Sequence, residues 1–390
     1  MHRSTQVSAG SVRTGARRNL LCLDQYASVG GGQRSLFDLL PAFAENGWNI
    51  CAAICGNGPL PAALQKQGCR TYVLEAKHYS STKKPPAELL RYALDLPRAI
   101  DALQRIVTQE GTTLLYVNGP RLLPAAAWAA RKRRIPLVFH CHNRLFQRSA
   151  IALAGQSLRV SKASVIASCH YAAAPIRRYL APERVKILYN GVQQIAPSKK
   201  RIPQTQWRIG VIGRVEKEKG QLEFVQAAKI VARQFPACRF FVIGSPLFSG
   251  LDYYERVRLA ARDVDIEFLG WQSDIASIYS DVDLLVVPSG ALEATTRVIL
   301  EAFSAAIPVI AFPSGGIPEI LEHERTGFLT TAPTAEALAG GIVAVLGMRS
   351  TYIDSIVAAA KDEWRRRFTL EAYRKAVIDL FTQAADEYSC

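Results

Sequence analysis

The sequence lacks the features by which membrane-spanning, secreted and metal-stapled proteins are recognised. No apolar run in its 390 residues reaches the roughly 18 residues that a membrane-spanning helix needs. The apolar segment at residues 20–23 is too short to be the core of a secretory signal. Eight cysteines are scattered without a CxxC pair, so neither a disulfide framework nor a structural zinc site is predicted. We therefore expect a globular protein of the cytoplasm.

Charge is unevenly distributed between the two halves of the chain. Residues 1–200 carry 28 Lys and Arg against 9 Asp and Glu, whereas residues 201–390 carry 20 against 24. This asymmetry predicts an anionic partner for the first half, either a membrane leaflet, a lipid-phosphate acceptor or nucleic acid. A basic surface that is merely solvated is the alternative. No RNP, KH or helix-turn-helix signature accompanies the charge, so nucleic acid is not the partner we expect.

The most basic segment is the run of four at residues 131–134, which ends an alanine-rich helical pattern. A helix C-terminus attracts cations, but four in a row exceed that need. The run is predicted to form a face for an anionic bilayer or an acceptor phosphate, together with Lys83, Lys84, Arg144, Arg148, Arg177 and Arg178. This would place the protein on the cytoplasmic face of a membrane as a peripheral protein.

Short apolar segments alternate with helical patterns, which is the rhythm of doubly wound parallel sheets in an α/β protein. Strands are predicted at residues 19–24, 48–54, 71–75, 114–118, 136–140, 164–168 and 185–188, and then at 207–211, 239–243, 266–270, 284–287 and 309–312. Ligands of such sheets bind beyond the carboxyl ends of the strands. The polar residues at four strand exits, Asn118, His142, Ser168 and Asn190, are therefore candidates for a binding site, although each alone would more often be a cap or turn residue.

Residues 284–320 are predicted to form a βαβ unit with two acidic residues at its centre. Glu293 lies in the loop before the helix, and Glu301 follows about two turns later at roughly 3.6 residues per turn. Between them, the backbone N–H groups of Thr295 and Thr296, next to Arg297, would lie at a helix N-terminus, which favours a phosphate. The alternative is that Glu293 is a solvated loop residue and Glu301 an ordinary helix residue.

Two other segments have the composition of phosphate sites. GRVEKEKG, after the strand at 207–211, contains Arg214 with its bidentate fork and Lys219 with its point charge. Lys219 could instead be a solvated residue at a helix start. Gly30, Gly31 and Gly32 follow the first strand and would let backbone amides approach a ligand closely. A tight turn without any ligand explains these glycines equally well.

Two short motifs have the residue types of metal sites. The segment HCH at 140–142 has no further ligand cluster after it, and the DxD at 281–283 precedes its strand, away from the end where ligands gather. We predict no metal at either, and we interpret the DxD as structural.

The order of these motifs resembles the retaining glycosyltransferases of the GT-B class, family 4, also called glycosyl transferases group 1. The resemblance is carried by the Glu-x7-Glu pair, by GR-x4-KG, and by GGIPEI at 315–320. It extends into the first half through the glycine loop at 30–32 and the NGV turn at 190–192. The sequence departs from the family pattern at 294–296, where Gly or Pro is usual, and at Ala306, where Gly is usual.

The resemblance implies a role for each candidate residue. Arg214 and Lys219 would hold the leaving diphosphate together with the glycine loop and the amides of 295–296. Glu301 would bind the ribose hydroxyls and Glu293 a hydroxyl of the donor sugar. His142, with His140 as its rival, would position that sugar from the first domain. Trp271 and Gln272 would lie beside the nucleotide base.

The resemblance also implies two Rossmann-like domains facing across a cleft. We predict a mobile basic tail at 1–18, an acceptor-side domain at 19–192, a linker at 193–206, a nucleotide-sugar-binding domain at 207–364, and a C-terminal helix at 365–390 that crosses back to the first domain. The predicted activity is metal-independent hexosyl transfer, without a cofactor, to a glycan or lipid-linked acceptor of envelope polysaccharide synthesis. UDP-sugar is favoured as donor over GDP- or ADP-sugar. A nucleotide-sugar epimerase and a basic nucleic-acid-binding module are the alternatives.

Overall fold

The computed structural model describes residues 18–75, 86–196, 206–246 and 251–388, with the backbone alone at 86–90. The predicted basic tail, apart from residue 18, lies outside the described residues. So do Lys83, Lys84 and most of the predicted linker.

The first domain is built on seven parallel strands. They are β1 (Arg18–Asp24), β2 (Trp48–Cys55), β3 (Arg70–Leu74), β4 (Leu114–Asn118), β5 (Leu137–Cys141), β6 (Ser164–Ala167) and β7 (Val185–Ile187). Their order in the sheet is β3-β2-β1-β4-β5-β6-β7. β4 and β5 are buried at every position, which explains their continuous apolar sequences. The strand order reverses between β1 and β4, and that switch point is where doubly wound sheets bind ligands.

Helices cover both faces of this sheet. They are α1 (Gly31–Glu45), α2 (Pro59–Lys66), α3 (Pro86–Gln109), α4 (Leu123–Arg133), α5 (Arg148–Ser161) and α6 (His170–Ala173). Leu20 and Cys22 point to the core shared with α1 and α2, whereas Leu21 and Leu23 point to the core shared with α3, α4 and α5. This is the two-residue alternation of a strand that is buried on both sides.

The second domain has a six-stranded parallel sheet. Its strands are β8 (Arg208–Ile212), β9 (Arg239–Ile243), β10 (Ile266–Gly270), β11 (Leu284–Val287), β12 (Val309–Ala311) and β13 (Phe328–Leu329). Its helices are α7 (Gln221–Gln234), α8 (Leu251–Ala260), α9 (Ile275–Ser280), α10 (Arg297–Ser304), α11 (Ala335–Leu346) and α12 (Ser350–Arg367). The order β10-β9-β8-β11-β12-β13 reverses between β8 and β11, so this domain has its own switch point.

The last helix, α13 (Leu370–Asp386), packs into the first domain rather than the second. Its Phe381 ring lies 4.8 Å from that of Phe43 on α1 and 5.3 Å from that of Tyr116 on β4, measured between ring centroids. The two segments that pass between the domains are joined by hydrogen bonds, from Val192 N to the Phe368 carbonyl (3.0 Å) and from Leu370 N to the Val192 carbonyl (3.2 Å). The last helix therefore ties the second domain to the core of the first.

Over the described ranges, none of the helices taken singly has the length and apolar character to span a membrane. The pair α11 and α12 meets those criteria only when taken together, and it is bent by 111°.

The prediction of two doubly wound parallel sheets is confirmed, and each of the twelve predicted strands is present within about two residues of its expected bounds. The predictions were wrong at two places in the second domain. β13 was not predicted, because it is only two residues long and leaves little pattern in a sequence. α10 begins at Arg297, two residues later than expected.

Candidate active site

Residues from both domains meet where the carboxyl ends of the two sheets face each other. Arg297, at the start of α10, forms an ion pair with Asp38 of α1, with 2.8 Å between Nη1 and Oδ2. The Arg34 guanidinium lies over the Trp271 ring, 5.1 Å from its centroid. Arg34 and Asp38 belong to the same helix, so α1 contacts the second domain at two points. The cleft is therefore bounded by α1 on one side and by the exits of β10 and β11 on the other.

The structure brings Lys219 and Glu293 together. Their side chains form an ion pair across 74 residues of sequence, and they are only 18% and 12% exposed. The approach depends on Gly220, which has φ +71° and ends the short turn that carries Lys219. A Cβ at this position would lie 2.0 Å from the Pro288 carbonyl oxygen, so only glycine allows this contact between the exits of β8 and β11.

The loop that carries Glu293 rests on the pair of glycines at 315–316. Gly315 has φ +60°, and a Cβ there would lie 1.8 Å from the Glu293 carbonyl oxygen. Gly316 donates its N–H to the same oxygen at 3.3 Å. The glycines of GGIPEI thus let the exit of β12 support the Glu293 loop, which gives a physical reason for the motif.

Arg214 lies on the same loop as Lys219. Its Nη2 is 2.7 Å from Glu216 Oε1, and its carbonyl accepts a hydrogen bond from Gln221 Nε2 at 2.8 Å. Burial raises the pKa of Glu216, and the charge of Arg214 opposes that rise. Two cations and two carboxylates, those of Glu216 and Glu293, therefore share this end of the cleft.

Glu301 is buried on α10 and held by two groups. Tyr279 donates its hydroxyl to Glu301 Oε2 at 3.0 Å, and Arg297 Nε lies 3.7 Å from Oε1. Burial, with the adjacent Glu301 charge as a further cause, raises the pKa of Tyr279 well above its usual value. Sequence reasoning missed Tyr279 and Asp38 because their partners lie 22 and 259 residues away in the chain.

The glycines at 30–32 are not a free loop. Gly30 is the N-cap of α1, and Gly31 and Gly32 form its first turn. A Cβ at Gly32 would lie 3.2 Å from His142 Cδ2. The predicted loop is thus corrected to a glycine-rich helix start, and its small residues make room for the His142 ring.

His140 and His142 occupy different environments. The two rings stack with their centroids 3.8 Å apart and an interplanar angle of 29°. His140 is fully buried and lies 2.7 Å from the Tyr116 hydroxyl through Nδ1, whereas His142 is half-buried and contacts Asn118. Burial lowers the pKa of both rings, to about 4 for His142. Both imidazoles are therefore neutral near pH 7.

The remaining predicted contacts are placed as follows. Trp271 follows β10, is 47% exposed and stacks with Arg34. Gln272 donates its Nε2 to the Leu269 carbonyl at 2.7 Å. Thr295 and Thr296 are buried, and Thr296 is the N-cap of α10 rather than part of its first turn. The expectation that their amides open the helix is corrected, because the first helical N–H groups belong to Arg297 and the residues after it.

The DxD is structural, as predicted. Asp283 Oδ2 accepts the backbone N–H of Arg208 at 2.9 Å, and Asp281 Oδ1 lies 2.8 Å from Arg208 Nη1. The pair anchors the start of β8 to the start of β11. Among the described residues, no group of three or more His, Cys, Asp or Glu side chains is placed to hold a metal ion.

Sequence reasoning also missed Glu319, which lies within the GGIPEI motif at 315–320. The Glu319 carboxylate accepts the backbone N–H groups of His170 (2.8 Å) and Tyr171 (2.7 Å) and the Tyr189 hydroxyl (3.0 Å). All three donors belong to the first domain, so the hydrogen bonds of Glu319 form a further contact across the cleft.

Comparisons with known proteins agree with this architecture. Residues 192–362 match the family Glycosyl transferases group 1, and residues 30–191 match the Glycosyl transferase 4-like domain. The chain is 27% identical over 255 residues to lipopolysaccharide 1,2-N-acetylglucosaminetransferase of Salmonella typhimurium, covering 60% of this chain and 64% of that protein. It is 26% identical over 178 residues to the amylovoran biosynthesis glycosyltransferase AmsK of Erwinia amylovora, covering 43% of each. The matched segments thus span about half the length of these relatives.

The crystal structure of HepE from Anabaena, solved in complex with UDP and glucose, superposes with a TM-score of 0.76. It is 22% identical, and the superposition covers 93% of this chain and 99% of that one. This likeness supports the two-domain GT-B fold. Neither the epimerase nor the nucleic-acid-binding alternative is favoured by these comparisons.

Proposed function

We propose that the chain is a group 1 glycosyltransferase, because its two halves match the two family models, and that it moves a sugar from a nucleotide-diphosphate donor to an acceptor as a retaining, family 4 enzyme. One observation carries the proposal. The Lys219–Glu293 pair lies at the switch point of the second sheet, where a doubly wound domain binds its ligand, and α1 of the first domain closes over the neighbouring α10.

The donor diphosphate is assigned to the loop after β8. Arg214 supplies a planar guanidinium that can donate two parallel hydrogen bonds. The Lys219 ammonium has three N–H donors, so it can keep its ion pair with Glu293 and still donate to phosphate oxygens. The start of α1 at Gly31 and Gly32 and the start of α10 at Arg297 add backbone N–H groups. Charge that develops on the leaving diphosphate is thereby neutralised by protein groups, and we propose that no divalent metal is required.

The sugar and ribose are assigned to the carboxylates and the histidine. Glu301, fixed by Tyr279 and Arg297, would accept the ribose hydroxyls, and Glu293 would accept a hydroxyl of the transferred hexose. His142 would contact that sugar from the first domain. Positive charge develops at the anomeric carbon as the diphosphate departs, and a closed cleft excludes the water that would otherwise capture it.

Closure of the cleft is assigned to the contacts across it. Arg34 on Trp271 and Arg297 with Asp38 both involve α1, whose first turn carries the glycines. Trp271 and Gln272 lie at the exit of β10 and would flank the nucleotide base. Aligning donor and acceptor by such contacts is worth several kcal/mol in bimolecular reactions.

UDP-sugar is the donor that we favour, because HepE, which has the same fold, was crystallised with UDP. A glycan or lipid-linked acceptor of polysaccharide synthesis is favoured by the relatives, which act in lipopolysaccharide and amylovoran synthesis. We assign the acceptor to the first domain and the nucleotide sugar to the second.

We also propose that the protein acts at the cytoplasmic face of an anionic membrane. The cations at 131–134 are all exposed at the end of α4, beside the half-exposed Trp128, whose ring lies 4.9 Å from Lys132 Nζ. α5, which packs on α4, exposes Leu153 and Val160. Cosedimentation with phosphatidylserine vesicles but not with phosphatidylcholine vesicles is expected. Equal binding to both kinds of vesicle would contradict this proposal.

The donor is tested by thermal shift with UDP-, GDP-, ADP- and dTDP-sugars, followed by measurement of nucleoside diphosphate release with and without acceptor and with and without EDTA. We expect stabilisation by UDP-sugar and release that EDTA leaves unchanged. Absence of a shift with every nucleotide sugar would refute the proposed donor site. Isomerised donor in place of transfer would establish the epimerase alternative.

A further inference from the structure

A buried polar chain runs from the start of α1 to the His142 ring. At one end, the Gly30 N–H donates to Gln33 Oε1 at 3.0 Å, which orients the Gln33 amide. Gln33 Nε2 must then donate to Asp24, and it lies 2.9 and 3.0 Å from the two carboxylate oxygens. The Tyr26 backbone N–H also donates to Asp24 Oδ1, at 2.9 Å. Every group described so far around Asp24 is therefore a donor.

The next link fixes the orientation of Asn118. Its side-chain nitrogen lies 2.6 Å from Asp24 Oδ2. An ionised carboxylate only accepts hydrogen bonds, so the amide must present its NH₂ group to Asp24 and its carbonyl to the other side. On that other side, Asn118 Oδ1 lies 2.5 Å from His142 Nε2. A carbonyl also only accepts, so the proton of a neutral His142 must be on Nε2.

This leaves Nδ1 of His142 as a lone-pair acceptor. No hydrogen bond reaches it from any of the residues that the structure describes. Burial, which lowers the pKa of the ring to about 4, keeps it neutral at pH 7.5. An O–H donor from a ligand is the partner that such a nitrogen can take.

We propose that Asp24, acting through Asn118, is a positioning residue that holds His142 as the Nε2-protonated tautomer, so that Nδ1 accepts a hydrogen bond from a hydroxyl group of the bound donor sugar. The inference rests on the proposed function for its ligand, but the tautomer itself is a property of the free protein. The chain Gln33–Asp24–Asn118–His142 also links the glycine helix start to the histidine, so both cleft elements of the first domain share one anchor.

Other groups near these hydrogen bonds do not reverse the direction in which protons are donated along them. The Tyr116 hydroxyl lies 3.3 Å from Asn118 Oδ1 and can donate to it. Cys22 and Cys55 lie close enough to interact with the Asp24 charge, and burial raises the pKa of both thiols, so they remain protonated. Burial also raises the pKa of Asp24 to about 6, which leaves its carboxyl mostly ionised at pH 7.5.

Asp24→Asn gives a specific expected result. In this variant an amide nitrogen replaces the oxygen that faces Asn118, so two NH₂ groups meet. Rotation of the introduced amide would turn its nitrogen toward the Tyr26 backbone N–H, which is also a donor. Rotation of the Gln33 amide would break its hydrogen bond from the Gly30 N–H. Asn118 should rotate instead and present NH₂ to His142, which moves the histidine proton to Nδ1.

The exchange Asp24→Asn with Asn118→Asp restores the polarity of the chain. The amide introduced at position 24 then donates through Nδ2 to the new carboxylate at position 118, and that carboxylate accepts from His142 Nε2. We expect the exchange to return the proton to Nε2. It should also raise the pKa of His142 above that of the wild type, because the negative charge now contacts the ring. A role of Asp24 in packing alone predicts no such rescue.

The experiment is nitrogen NMR on the full chain labelled at its six histidines, at pH 7.5 and without donor. The His142 signals are assigned by their loss in His142→Gln, and Asp101→Asn, an exposed aspartate of α3, is the control. We expect an Nε2 proton in the wild type, the control and the exchange variant, and an Nδ1 proton in Asp24→Asn. An Nδ1 proton in the wild type overturns the inference without any variant. The inference can therefore be refuted even if a variant fails to fold.

Kinetics with a UDP-sugar complete the test. Asp24→Asn should lose about tenfold to a hundredfold in kcat/KM, the range for a buried polar group that loses its partner, and the exchange should recover most of that loss. If the wild-type protein transfers sugar but carries the His142 proton on Nδ1, the inference about Asp24 is refuted and the proposed function stands. The expected tautomers with no transfer by the wild type would refute the proposed function and leave the positioning of His142 intact.

Discussion

Replacement of Lys219 by Ala tests the assignment of the diphosphate site most directly. Lys219 is only 18% exposed, and its ammonium contacts the Glu293 carboxylate. The substitution removes a cation from the site and leaves the negative charge of Glu293 beside the expected position of the diphosphate. Binding and transition-state stabilisation should therefore both suffer.

The expected magnitude follows from the charges involved. Two unit charges at about 4 Å interact by roughly 4 kcal/mol at an effective dielectric constant of 20, and part of this is offset by solvent in a cleft. Loss of a single preorganised donor at a developing oxyanion typically lowers kcat by about 10²–10³. We expect a fall of that size for Lys219→Ala and a smaller one for Lys219→Arg, which keeps the charge. The free energy of unfolding should also fall, by about 1–3 kcal/mol, because the largely buried Glu293 carboxylate loses its cation.

The assay is initial-rate release of UDP from the UDP-sugar identified by thermal shift, with the melting temperature of each variant as a check on folding. Lys229→Ala is a matched control, because Lys229 on α7 also pairs with an acid, Asp263, at 3.1 Å but near the other end of the helix. Turnover by Lys219→Ala within about threefold of the wild type, in a folded protein, would refute the reasoning.

Three further predictions concern stability. Ala306 has φ +59° just after α10, so Ala306→Gly should raise the free energy of unfolding by about 0.5–1 kcal/mol, since left-handed strain outweighs the extra chain entropy of glycine. Ala305→Gly, at φ −78°, should lower it in the same urea titration, and the same sign for both would contradict the argument. The free energy of unfolding should rise from pH 4 to pH 6.5 in part through His142, whose pKa burial lowers from 6.5 to about 4, because the unfolded chain binds more protons in that interval. His142→Gln should therefore show a shallower rise in urea titrations across this interval, and an unchanged slope would count against the pKa shift. Glu319→Gln should lose about 1–3 kcal/mol, because it weakens the acceptor for two backbone N–H groups of the first domain. Glu322 is exposed, so Glu322→Gln should lose less than about 1 kcal/mol in the same urea titrations. Equal losses in the two variants would show that the hydrogen bonds of Glu319 add no stability beyond that of a surface carboxylate.

The strands could be predicted because the signal for each one is local. A parallel strand buried on both faces reads as an apolar run, and residues 284–287 or 239–243 need no distant partner to be recognised. α11 left less signal because it is apolar almost throughout and contains Gly340 and Gly341. Gly341 faces β12 across a short distance, since a Cβ there would lie 2.6 Å from Ile310 Cδ1.

The pairings within the site could not be predicted in the same way. Sequence reasoning singled out Lys219, Glu293, Arg297 and Glu301, each because its residue type and spacing suit a phosphate or a sugar. It assigned Asp24 only to the end of the first strand and overlooked Asp38 and Glu319. The partners of these three carboxylates lie 94, 259 and 149 residues away in the chain.

The sequence by itself determined two parallel-sheet domains and the residue types available at the ends of their strands, because hydrophobic periodicity and backbone preference act over a few residues. Only the tertiary structure decided which of those residues meet. Glu293 contacts Lys219 because glycines at 220 and 315 let two loops touch, and the proton of His142 is directed by a carboxylate on another strand. Such contacts depend on the close packing of whole elements, which no short stretch of sequence encodes.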